Sequence, residues 1–186
     1  ALNRGAKLIV IDPIKTEFAS RADIHLQLEP EHNIPVINAL LYTIIEEGLV
    51  NEEFVRDHTI GIEYVKEAVK DYAPEVVAKY TRLNPEDIRA AARMYATTKP
   101  AVITHGMGVT HFNHGVGGVC DVSNLFLITG NICELGTGDL PLRGQENVQG
   151  CCDMGVLPNI IPNLGSVTAS DPSAWFAKIW HLETGI

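Results

Sequence analysis

The first apolar run of the chain, Leu8-Ile9-Val10-Ile11, is short, rich in β-branched residues and closed by Asp12-Pro13. That is the pattern of a strand buried on both faces of a parallel sheet, and it puts Asp12 at the carboxyl end of the strand. A second stretch, 24–28, carries apolar residues at alternate positions and stops before Pro30, which predicts another short strand. At Asn33 the period changes. Ile37, Leu40, Leu41, Ile44 and Ile45 form one helical stripe, with Asn33 placed to cap it, Pro35 in the first turn and Gly48 at the end. Further helices are expected over 52–57, 62–70 and 74–80. Asn84-Pro85-Glu86-Asp87 opens another that runs to Ala96, because a cap, a proline at the first helical position and two acids at the positive helix end all agree. Residues 101–105 read as a strand, Gly106-Met107-Gly108 as a glycine-bearing loop, and 116–129 as a helix stopped by Gly130.

Short apolar strands alternating with helices indicate the α/β class, a mostly parallel sheet flanked by helices in which ligands sit at the carboxyl ends of strands. After Gly130, glycine and proline become dense and the periodicity weakens, so a domain boundary is expected near residue 145. There is neither an internal repeat nor a low-complexity tract.

Composition narrows the function classes. A chain of 186 residues that is 46% hydrophobic can bury a sizeable core. The formal charge is 14 minus 23, or −9, and no basic stripe is present, which argues against nucleic acid as a partner. No window reaches the roughly 18 consecutive apolar residues of a membrane span, and 1–7 lacks the build of a signal peptide. A soluble, cytoplasmic protein is the expectation. The start at Ala1, opening almost at once into a strand, reads as a piece of a longer protein. Cys120, Cys133, Cys151 and Cys152 show no C-x-x-C pair and no iron–sulfur or zinc spacing, so buried or free thiols are expected.

Several residues could carry chemistry. Asp12 stands where α/β nucleotide binders hold a ribose or base through a carboxylate, or it is a solvated turn aspartate before proline. Gly106-Met107-Gly108 could bring backbone N–H groups close to a phosphate, or be a plain turn. His105, His111 and His114 lie close together but match no metal-ligand spacing. Arg143, held between Pro141 and Gly144, could present its planar fork to a small carboxylate, or could be an ordinary surface arginine.

Four segments weigh on those choices together: Gly106-Met107-Gly108-Val109-Thr110; Leu127-Ile128-Thr129-Gly130-Asn131-Ile132; Pro141-Leu142-Arg143-Gly144-Gln145-Glu146-Asn147-Val148-Gln149-Gly150; and Cys152-Asp153-Met154-Gly155. In order and spacing they resemble the catalytic subunits of molybdopterin-dependent formate dehydrogenases. Gly5 to Pro13 resembles the nucleotide-binding strand of that family, and Asn84 to Tyr95 its helix. The resemblance implies a Rossmann-like domain, here incomplete, over 1–145, with 146–186 beginning an adjacent α/β domain. It implies one of two molybdopterin guanine dinucleotides as cofactor, carrying Mo or W, and a [4Fe–4S] cluster in a region upstream of this chain. Asp12 with Pro13 would meet the guanosine end, and Met107, Gly108 and His111 would approach the pterin or pyrophosphate. Asn33 and Gly144 would also belong to the cofactor surface. Arg143 would hold formate, with Gln145 supporting that pocket, and an electron-transfer subunit would complete the enzyme. By itself the chain is expected to be inactive. The sequence departs from the family pattern at Ile14 (commonly arginine), at His111 (commonly glutamine), at Glu146 (frequently asparagine) and at Glu31-His32. The alternatives are another molybdopterin oxidoreductase such as a nitrate reductase, a non-catalytic scaffold, and a nicotinamide-dependent dehydrogenase. The last requires a G-x-G-x-x-G turn before the acidic strand, which this sequence lacks.

Overall fold

The computed structural model describes residues 1–162 and 165–182. By compactness the chain divides into two units, Ala1–Pro141 and Leu142–Ile186.

The first unit opens on β1 (Ile9–Ile11), which pairs in parallel with β2 (Ile24–Leu26), Val10 opposite His25. A parallel pair needs a crossover. Here it contains the single-turn helix α1 (Glu17–Ser20), whose first turn is closed by Thr16 Oγ1 accepting from the Ala19 N–H. The long helix α2 (Asn33–Glu46) buries Ile37, Leu40, Leu41 and Ile44 of the expected stripe together with Val36 and Ala39, while Ile45 is only half-buried. Around it pack α4 (Ile62–Val69), α5 (Pro74–Thr81), α6 (Pro85–Thr97) and α8 (Gly115–Thr129), while α3 (Glu52–His58) lies against α8. Asn51 and Asn84 cap α3 and α6, accepting from the backbone N–H groups of Phe54 and Glu86. One aliphatic core results, running from Leu26 and Leu28 through α2 to Val77, Ile88, Ala92, Val122 and Ile128.

A second parallel pair, β3 (Val102–His105) and β4 (Gly138–Pro141), is joined by a crossover through α7 (Met107–Thr110) and α8. Gly130, at φ 67, ends α8 in the left-handed conformation that lets a helix stop without a Cβ clash. Among the described residues the parallel strands form two separate two-stranded sheets.

In the second unit, α9 (Val148–Asp153) is followed by the antiparallel pair β5 (Ile160–Ile161) and β6 (Gly165–Ser166) and by α10 (Ser170–Ile179).

Three local expectations change. Asn33 is not a cap: His32 holds that position without a side-chain bond, and the Asn33 amide is used elsewhere. The segment after β3 is not a loop but one turn of helix, α7. The weakly periodic stretch after Gly130 contains β4, a strand that becomes recognisable only through its pairing with β3.

Candidate functional site

The carboxyl ends of the parallel strands carry the polar groups that the sequence singles out. At the exit of β1, the Asp12 N–H donates to the Leu26 carbonyl at 3.3 Å. Asp12 Oδ1 accepts from the Ile14 N–H at 2.7 Å, so the carboxylate closes its own turn. Asp12 Oδ2 has no bond among the described residues. His25 Nε2 meets the Asp12 carbonyl at 2.9 Å, and Gln27 Nε2 donates to the Pro13 carbonyl at 3.1 Å. Side chains from β2 and its continuation thus stitch down the Asp12-Pro13 turn.

The exit of β3 is built around glycines. Met107 and Gly108 on α7 and His111 just after it are exposed. Asn33 Nδ2 donates to the Gly108 carbonyl at 2.6 Å, so the first residue of the central helix holds this turn directly. Two of the expected cofactor residues, 75 positions apart, are thereby brought into contact. A Cβ added at Gly115 would stand 2.2 Å from the Thr110 carbonyl oxygen, and only glycine lets α8 start so close to the end of α7. At Gly118 the same atom would meet Val109 at 3.2 Å, whereas at Gly108 it would find nothing within 4 Å.

Behind this turn lies a polar cluster. The three neighbouring histidines separate: His111 and His114 are exposed, but His105, the last residue of β3, is buried, its Nε2 donating to Asp139 Oδ2 of β4 at 3.2 Å. His105 Nδ1 and Asp139 Oδ1 are shielded from solvent without a protein partner among the described residues, as are the Tyr95 hydroxyl and Asn131 Oδ1. Asn131 donates to Thr129 Oγ1 at 3.0 Å. Burial pushes the Tyr95 phenol up to about 12; Thr129 and Asn131 act against that rise and the charge of Asp139 adds to it. Asp121 on α8 is lifted to about 6 by burial alone. Sequence reasoning missed Tyr95, Asp121, Asn131 and Asp139. Asn131 and Asp139 offered only the signal of polar residues next to Gly130 and in a segment without visible periodicity, and Tyr95 and Asp121 lie within predicted helices where nothing in the sequence marks them.

In the second unit, Arg143, Gly144 and Gln145 are exposed, and Arg143 makes no ion pair among the described residues. The turn tightens just beyond, where Asn147 adopts φ 50 and a Cβ at Gly150 would come within 2.6 Å of Asn147 Oδ1. All four cysteines are free. Among the described residues no group of three or more His, Cys, Asp or Glu side chains converges to hold a metal, and no helix is long and apolar enough to cross a membrane.

Against known proteins, residues 1–176 match the family model described as molybdopterin oxidoreductase. The F420-dependent formate dehydrogenase subunit alpha of Methanocaldococcus jannaschii is 46% identical over 98% of this chain and 27% of its own length. Formate dehydrogenase H of Escherichia coli is 44% identical over 99% of this chain and 26% of its own. The chain therefore spans about a quarter of the length of these curated relatives. Among solved structures, acetylene hydratase from Pelobacter acetylenicus superposes with a TM-score of 0.70 at 33% identity, over 73% of this chain and 19% of that one. With the family model matched over nearly its whole length, the α/β chain described here belongs to the molybdopterin oxidoreductase family.

Proposed function

We propose that this chain is part of the catalytic subunit of a formate dehydrogenase and contributes one wall of the site for a molybdopterin guanine dinucleotide carrying Mo or W. The residues present suit such a group. A pterin nucleotide is gripped through hydrogen bonds and close backbone approach at strand ends, and it needs no metal-ligating cluster from this chain. Asp12 keeps one carboxylate oxygen unengaged among the described residues, which suits a guanosine N–H or ribose hydroxyl, and Pro13 fixes the turn below it. The open face of Gly108, flanked by Met107 and His111, suits the pterin or pyrophosphate, and Asn33 holds that turn from behind. When bound, the cofactor supplies a two-electron acceptor.

The substrate assignment rests on Arg143, an exposed guanidinium without an internal carboxylate partner among the described residues, in a chain whose relatives at 44% and 46% identity are formate dehydrogenases. Its planar fork would donate to both oxygens of formate and aim the C–H bond, with Gln145 and Gly144 shaping the pocket. Loss of two electrons and a proton from formate then releases carbon dioxide. A [4Fe–4S] cluster elsewhere in the whole enzyme and an electron-transfer subunit would carry the electrons away.

The test uses the full-length enzyme. Arg143→Ala should lower formate turnover about a hundredfold or more while the cofactor stays bound, and Arg143→Lys should recover little, since an ammonium lacks the fork. Activity close to wild type in Arg143→Ala, or nitrate as the turned-over substrate, would overturn the assignment.

A further inference from the structure

We propose that His105 and Asp139 are positioning residues, a hydrogen-bonded pair that sets the register between the exit of β3, which leads into the cofactor turn at 106–110, and the exit of β4, which leads in sequence to Arg143. The inference deepens the cofactor reading above and rests on it. His105 and Asp139 lie on neighbouring parallel strands, and because Ile103 is the residue opposite Asp139, the imidazole reaches diagonally to make its 3.2 Å bond. The pair is largely withdrawn from water, with side-chain exposures of 6% and 19%. His105 Nδ1 and Asp139 Oδ1 are left without protein partners among the described residues.

As a stabilising device this is a poor choice. A buried polar pair with a half-used hydrogen-bonding capacity contributes less than two apolar side chains of the same volume. What the pair adds is direction. Apolar contact tolerates sliding, whereas a hydrogen bond fixes which atoms face each other. The turn it governs is already held from the other side by the Asn33 amide on the Gly108 carbonyl. With His105 immediately preceding Gly106, the segment carrying Met107 and Gly108 is anchored at both flanks, by α2 and by β4.

The test compares four forms of the full-length enzyme: wild type, His105→Phe, Asp139→Leu and the double variant. Three quantities are read: the thermal midpoint, the metal and pterin released per polypeptide on denaturation, and turnover. Each single variant should lower the midpoint, because it strands a buried polar group. The double variant should recover the midpoint while cofactor content or turnover stays about tenfold down, the size of effect seen when a group orienting a site from behind is lost. Recovery of cofactor content and turnover along with the midpoint would reduce the pair to a structural contact and overturn the proposal. Asp139→Asn keeps an acceptor facing His105 and covers the case in which the apolar double variant does not fold. It should retain cofactor content near wild type, and a loss as deep as that of Asp139→Leu would refute positioning by geometry. Cofactor content is independent of the substrate, so an enzyme that loads fully but ignores formate would sink the substrate assignment and leave this test intact.

Discussion

Asp121 shows how one side chain can set the pH response of the fold. Its carboxyl is lifted from 3.8 to about 6 by burial alone, without a cation to offset it. The folded state therefore favours the neutral acid. The contribution is fully present below the unfolded value near pH 4 and is lost as pH rises to about 6, so stability should fall across that window by on the order of 1–3 kcal/mol. Asp121→Asn should flatten the slope and raise the thermal midpoint at neutral pH. Parallel midpoint-versus-pH curves for the two proteins would dispose of this account. Single residues were also the least legible in the sequence. Asn33 carries a good helix-start signal, yet its amide finds the Gly108 carbonyl, a partner that exists only once the chain is folded. His105 sits among two other histidines in sequence, but strand geometry turns it inward to Asp139.

Among elements, α2, α5 and α6 are joined by ions as well as by their core. Arg89 on α6, its side chain only 16% exposed, pairs with Glu75 on α5 and with Glu46 and Glu47 at the end of α2. Arg93 reaches Glu47 and Glu86. The bond from Arg93 holds the Glu47 carboxyl below its usual range, and Glu75 is lowered by its own backbone N–H and then by Arg89. Depressed carboxylates contribute stability above pH 4.5 that is lost as pH falls through their folded values. Arg89→Met should therefore cost about 1 kcal/mol at neutral pH, a modest figure because solvent screens the exposed acids. It should also move the acid-unfolding midpoint, followed by circular dichroism, to higher pH; an unchanged midpoint would show that the network contributes nothing. Of these helices α6 was the most readable from sequence, because the Asn84 cap, Pro85 at the first helical position and the buried Ile88, Ala91 and Ala92 agree, whereas α2 was readable from its apolar stripe alone. The strand β4 was not readable. Gly138-Asp139-Leu140-Pro141 has no alternation and only gains its identity from the ladder with β3.

At the scale of the molecule, the two units differ in what they can bury. The continuous core lies entirely within Ala1–Pro141, whereas in the second unit the buried apolar residues among those described are Ile161 and Ala177. Residues 1–141 produced alone should unfold in one cooperative thermal transition, and residues 142–186 alone should show none, because so small a buried surface cannot offset the entropy of ordering the backbone. Calorimetry on the two pieces checks both statements, and a cooperative peak from the shorter piece would contradict the second. The α/β class was legible because short β-branched runs alternate with striped helices. The separation of the strands into two pairs was not, since pairing partners are chosen by tertiary contact.

Gly108 and Gly115 stand on the same short stretch, but the protein constrains them differently. At 115 the chain itself forbids a methyl group; at 108 the fold has room for one. If natural variants keep glycine at both positions, the pressure at 115 is internal architecture, while at 108 it must come from whatever molecule the turn receives. Sequence variation at position 108 would then record the shape of a guest, independently of the stability of its host.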